Sequence, residues 1–249
     1  LAERRPDRVV APLAVDADRG LLLLPDGGPT AASIRSSSDS INQWTTALLG
    51  YAELQRSTIE SEHELLAAGC PDLRPGADVD RLAGHMAAGH VDDRPHLVEW
   101  LREVTDQMSR RIPATIQHDD LSPSNVMLDG RLIDWGDASL GHPFASLLTA
   151  LMPGNPRRPG NPSDRYRMRD AYLRSWIEPL GLDDDDQTMA WLRHQADLAM
   201  LVAPIGRIDT WLRADDGALT LYPDAIDRWL DHLELARTDP GSTSISAPF

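Results

Sequence analysis

Apolar positions change their period along the chain. Near the start they fall in short blocks: Val9-Val10-Ala11-Pro12-Leu13-Ala14-Val15, then Leu21 to Leu24. The turn formers Asp16-Ala17-Asp18-Arg19-Gly20 separate the blocks, and Pro25-Asp26-Gly27-Gly28-Pro29 must stop any regular element. Two apolar runs around a glycine-containing turn predict a β-hairpin, although four leucines alone fit a helix equally well. From Ile41 to Ala68 the spacing becomes helical, with Ile41, Trp44, Leu48, Tyr51 and Leu54 three or four residues apart. Ser38, Asp39 or Ser40 is expected to cap its start. Cys70 to Ala77 reads as a loop, and Pro95 to Arg111 as a second helix ended by Pro113.

Short strands are expected again at Ala114–Gln117 and Val126–Leu128, with Asp129-Gly130 turning the chain into Leu132-Ile133. Beyond them the pattern is mostly helical. Phe144–Met152 is short and apolar, 152–163 is a Pro/Gly/Asn/Arg loop, and Asp164–Ile177, Gln187–Arg213 and Pro223–Arg237 supply longer helices. Gly206 is expected to weaken or break the second of these, and Thr238–Phe249 is a polar tail. No repeat of fixed period occurs. Little strand followed by much helix predicts an α+β fold with a helical main domain.

Composition narrows the function classes. The 249 residues are 41% hydrophobic and carry a formal net charge of -15. A chain this acidic is poorly suited to tracking a phosphate backbone, so no nucleic-acid partner is expected. The charge either steers a cationic small-molecule substrate or simply keeps the surface soluble. No apolar run approaches the ~20 residues of a membrane helix, so no membrane partner is expected. The N-terminus has no signal-peptide pattern. Cys70 is the single cysteine, which excludes an internal disulfide and fits a reducing cytoplasm. All 24 basic residues are arginine, and lysine is absent. The oligomeric state is left open.

The chemistry concentrates between His118 and Asp134. Phosphoryl transfer needs a carboxylate near the attacking hydroxyl, and oxygen ligands holding Mg²⁺ against nucleotide phosphates. His118-x-Asp120-x-x-x-x-Asn125 offers the carboxylate at Asp120 and an amide oxygen at Asn125. The Asp129-Gly130 hairpin then returns the chain with a second carboxylate, Asp134. Asp120 is expected to orient the substrate hydroxyl and accept its proton, with Asn125 and Asp134 as metal ligands. A competing reading makes His118-Asp119 part of a phosphohydrolase metal site, with His85, His90 or His96 as further ligands. It leaves Asn125 and Asp134 without roles, and Pro123 stands too close for His118-Asp119 to lie mid-helix.

His118-Asp119-Asp120-Leu121-Ser122-Pro123-Ser124-Asn125-Val126 resembles the His-Gly-Asp-Leu-His-x-x-Asn-Val loop of the phosphotransferase family that includes aminoglycoside and choline kinases. Ile133-Asp134-Trp135 resembles its Ile-Asp-Trp metal strand, and Gly141-His142-Pro143 its Gly-x-Pro. The resemblance implies a protein-kinase-like fold, with a truncated small β lobe and hinge at 1–30, a helical large lobe at 31–237 and a flexible tail at 238–249. It also implies ATP and Mg as cofactors. His118 joins Asp120 in the catalytic set, chiefly as a brace. Ser122 and Asp137 are candidate loop supports, Asp137 alternatively being a plain polar residue after the strand. Leu21 to Gly28 resembles the last small-lobe strand and hinge, which makes Leu23, Leu24, Pro25 and Asp26 the expected nucleotide contacts. Asp119 stands where glycine is usual and is read as solvent-facing or turn-forming. Ser122 replaces a common histidine. Ser146 replaces a frequent aspartate, which puts the bracing of the loop in question. Trp135 is read as a core filler and His142 as a packing or loop residue.

The family's phosphate-holding lysine and glycine-rich loop have no counterpart here. The expectation is a complete enzyme with an N-terminal portion outside this sequence; the alternatives are a truncated chain or a catalytically incomplete remnant that binds a ligand or partner. Asp183 to Asp186, Asp215 and Asp216 are candidate receivers of a cationic acceptor, although the first run also fits a helix start.

Overall fold

The computed structural model describes residues 1–34, 37–152, 161–214 and 216–239. Strands β1 (Ala14–Asp16) and β2 (Leu21–Leu23) pair antiparallel, Val15 opposite Leu22. The hairpin is shorter than the apolar runs. Pro12 supplies no N–H to a ladder, and Val9 upstream of it pairs in parallel with Leu132 instead.

Helix α1 (Ser37–Arg56) begins before the three expected caps, and Asp39 lies in its first turn. The periodic segment to Ala68 is not one helix. The hydroxyls of Ser57 and Thr58 donate to the carbonyls of Leu54 and Gln55, each at 2.7 Å, and Glu60 turns left-handed at φ 70°. Competition of this kind by Ser and Thr ends helices. The chain resumes as α2 (Glu62–Ala67), and the stretch read as a loop holds the two-residue strand β3 (Asp72–Leu73). Helix α3 (Ala77–Ala87), not foreseen, buries Val79, Leu82 and Met86 on one face. Helix α4 (Pro95–Asp106) stops short of Arg111, closed by tight bonds from Gln107 and Met108 N–H to Val104 and Thr105 carbonyls.

Strands β4 (Thr115–Gln117) and β5 (Ser139–Gly141) complete a three-stranded sheet with β5 in the centre, antiparallel to β4 and parallel to β3. A 3-10 turn at Pro143–Ser146 leads into α5 (Leu147–Leu151). Helix α6 (Pro162–Arg174) starts with a capping box between Asn161 and Asp164. Helices α7 (Asp186–Val202) and α8 (Pro204–Arg213) replace the single expected helix. The break falls at Pro204, which has no N–H to donate, not at Gly206. Gly206 lies within α8, and a Cβ there would stand 3.2 Å from Leu73 and 3.6 Å from Asp119. Helices α9 (Asp216–Leu221) and α10 (Ala225–Thr238) follow.

The helices pack as α1 on α6, α4 on α7 and α10 on α8. Between them lies one core of fully buried large side chains, including Trp44, Tyr51, Phe144, Tyr172 and Trp176. Phe144 meets Tyr172 and Trp176 edge-on at 5.9 and 5.8 Å, a favoured ring geometry. No described helix is long and apolar enough to cross a membrane. Residues 153–160, Asp215, the side chain of Asp216 and residues 240–249 lie outside the described residues.

Candidate active site

Strand β4 is buried along its length and delivers the chain to His118, also buried. His118 Nε2–H donates to the Ile133 carbonyl at 2.9 Å, tying the loop to the strand that carries Asp134. Nδ1 is then the unprotonated nitrogen, and it is buried with no partner. Burial pushes the imidazole pKa down. The ring held in this way ties the loop to the strand that follows it.

Asp119 adopts φ 57°, a left-handed conformation that glycine takes freely and aspartate tolerates better than most residues. This accounts for the glycine expected at the position. The turn-forming part of the reading stands, but the solvent-facing part is wrong. Asp119 is 7% exposed, and its carboxyl accepts a bond from the Ser139 hydroxyl of β5. Burial pushes its pKa up to about 6.

Asp120 and Asn125 face each other across the next turn. Asn125 Nδ2 donates to the Asp120 carbonyl at 2.9 Å and to its carboxylate at 3.0 Å. That leaves Asn125 Oδ1 as the free end of the amide. Ser122 contributes through its backbone, its carbonyl accepting from Asn125 N–H at 2.8 Å. Ile133 N–H donates to the Asn125 carbonyl at 3.0 Å, and Met127 N–H to that of Arg131 at 2.8 Å, so the Asp129-Gly130 turn returns the chain as its spacing predicts. Asp134 follows at φ 63°, exposed, and its carboxylate has no hydrogen-bond or ion-pair partner among the described residues. The amide oxygen of Asn125 and this carboxylate are hard oxygen donors of the kind Mg²⁺ takes.

Asp137 accepts from Arg207 Nη1 at 2.8 Å, and the same nitrogen donates to the Asp119 carbonyl at 2.9 Å. Asp137 therefore supports the loop through Arg207, a residue with no signal in the sequence. His142 is buried, accepts from Phe144 N–H at 3.2 Å and packs on the Phe144 ring, as its packing role requires.

A cleft of about 1030 Å³ opens beside Asp134. Val9, Val10, Leu22, Leu24, Ile133 and Trp135 give it an apolar lining, and Glu3 and Asp134 are its charged groups. Of the expected nucleotide contacts Leu24 lines it; Leu23, Pro25 and Asp26 do not, and the Asp26 carboxylate accepts from Gly28 N–H at 2.9 Å. Leu22, two residues before Leu24 and so on the same face of an extended chain, lines it as well. Trp135 packs on His118 at 4.7 Å and also lines the cleft, so it is more than a core filler.

The phosphohydrolase alternative finds no ligand set. His85 pairs with Asp209 at 3.2 Å and His96 with Glu234 at 3.0 Å. Among the described residues no three His, Cys, Asp or Glu side chains come together to hold a metal. The Asp183–Asp186 run behaves as a helix start: Asp185 accepts from Thr188 N–H at 2.7 Å, and Asp184 pairs with Arg174 at 2.5 Å.

Residues 57–180 match the model of the phosphotransferase enzyme family, a span that contains the whole loop from His118 to Asp134. No curated protein matches the chain.

Proposed function

Because the chain belongs to the phosphotransferase enzyme family, we propose that it moves the γ-phosphoryl group of ATP onto a hydroxyl of a small molecule, with Mg²⁺ as the metal. The Asp120–Asn125 pair carries this reading: one amide group fixes the Asp120 carboxylate at 3.0 Å and leaves its own oxygen free. Asp120 orients the acceptor hydroxyl and takes its proton as the new O–P bond forms and the bond from the γ-phosphorus to the bridging oxygen breaks, ADP leaving with that oxygen. Asn125 Oδ1 and the unpaired Asp134 carboxylate would hold Mg²⁺. When bound, Mg²⁺ supplies neutralisation of phosphate charge. Leu22, Leu24 and Ile133 offer an apolar cleft for the base of the nucleotide. The net charge of -15 favours a cationic acceptor such as an aminoglycoside or amino sugar. The lone Cys70 supports a reducing, cytoplasmic setting.

The test is turnover of a panel of aminoglycosides, amino sugars and amino alcohols with Mg·ATP. Wild type is expected to phosphorylate at least one, and Asp120→Ala to lose roughly a hundredfold or more in kcat. Equal turnover by the variant rules Asp120 out as the base. One observation favours a second reading, in which the protein binds a ligand or partner without turnover: no arginine lines the cleft among the described residues. Titration with Mg·ATP separates the two, since absence of binding sinks the enzyme reading for this chain.

A further inference from the structure

We propose that Tyr51 and Thr149 are positioning residues for Asp120, a claim that rests on the phosphotransferase reading above. Ser146 stands where the resemblance expects an aspartate, which leaves open what holds the loop. The structure has an uncharged answer. The Tyr51 hydroxyl lies 2.9 Å from the His118 backbone nitrogen and 2.7 Å from Ser146 Oγ. Ser146 Oγ donates its one proton to Gln117 Oε1 at 2.7 Å. It must therefore accept the proton of Tyr51, whose lone pairs are left to receive the His118 N–H. Each proton in the relay has one destination, so its polarity is fixed. On the far side of Asp120, Thr149 Oγ1 accepts from Leu121 N–H at 3.3 Å and donates to the Ser146 carbonyl at 3.3 Å.

Two hydroxyls thus anchor the backbone two residues before Asp120 and one residue after it. Tyr51 comes from α1 and Thr149 from α5, both packed helices, and both residues are buried. Neither touches the carboxylate. Their effect is on where it points, and small misplacements of a catalytic group cost large factors in rate. Removing the Tyr51 hydroxyl leaves a buried N–H without an acceptor and lets the loop shift to find one.

Tyr51→Phe keeps the ring and removes the hydroxyl. We expect kcat to fall roughly ten- to hundredfold while KM for Mg·ATP and acceptor stays within about twofold, and the His118 amide to exchange faster with deuterium. Thr149→Val, near-isosteric, is expected to give the same split and to speed exchange at Leu121; it serves as the second variant if Tyr51→Phe does not fold. An unchanged kcat, or unchanged exchange at these amides, overturns the proposal. If instead Asp120→Ala retains full turnover, the assignment of the base fails, and amide exchange still decides whether the hydroxyls hold the loop.

Discussion

The two sides of the candidate site are built to different standards. On the loop side, His118 N–H meets Tyr51, the Asp119 carbonyl meets Arg207, the Asp120 carbonyl meets Asn125 and Leu121 N–H meets Thr149. On the cleft side, Leu21, Leu22 and Leu23 are 50%, 57% and 59% exposed, and β1 and β2 pair over only three residues each. A base must be held in one orientation, and buried backbone groups without partners are costly. An apolar cleft gains its affinity from area and tolerates displacement. On the proposed function, the tightly held side is the one that would orient the base, and the loosely built side the one that would enclose the nucleotide ring.

The contrast can be broken by mutation. Asp120→Ala should carry the largest effect, a fall in kcat of roughly 10²–10⁴-fold with nucleotide affinity kept. Phe144→Ala, at the ring cluster under the loop, should cost about 3–5 kcal/mol in denaturant unfolding, whereas Leu22→Ala on the hairpin should stay within ~0.5 kcal/mol. Equal costs would show that the hairpin is as tightly built as the loop. Asp134→Asn should weaken nucleotide binding roughly tenfold when Mg²⁺ is present and little when it is absent, as read by calorimetric titration. An effect independent of Mg²⁺ would remove Asp134 from the metal set.

A smaller effect should appear with pH. Burial pushes Asp78, whose carboxylate accepts from Gly76 and Val79 N–H, up to about 7 from a usual 3.8. The folded state therefore keeps this proton where the unfolded chain has released it. Its contribution is fullest below the unfolded value, and stability falls as pH rises between those two values. Asp78→Asn should flatten that part of the stability profile; an unchanged slope would assign it to another group.

Much of this was legible in the sequence because local rules governed it. The 3.6-residue spacing from Ile41 to Leu54 predicts α1, and Asp129-Gly130 predicts the turn that returns Asp134 towards Asn125. Helix α3 was legible by the same spacing, Val79, Leu82 and Met86 standing three and four residues apart behind the Gly76 cap, and its absence from the expected elements is a misreading. Strands β3 and β5 are two and three residues long and exist only through pairing with distant chain. Asp119 looked solvent-facing because aspartate usually is, and its burial depends on Ser139, twenty residues on. Tyr51 and Arg207 stand 67 and 88 residues from the backbone groups they hold, a separation no local pattern reports. Family resemblance points to the candidate side chains of the loop, whereas the groups bonded to its backbone become visible only in three dimensions.

The most direct measurement is transfer of label from γ-³²P-ATP to a saturating acceptor in a single turnover, with and without Mg²⁺, for wild type and Asp120→Ala. The account predicts Mg²⁺-dependent labelling by wild type and a loss of roughly a hundredfold or more in the variant while its nucleotide affinity is kept. Labelling at the same rate by Asp120→Ala would contradict it.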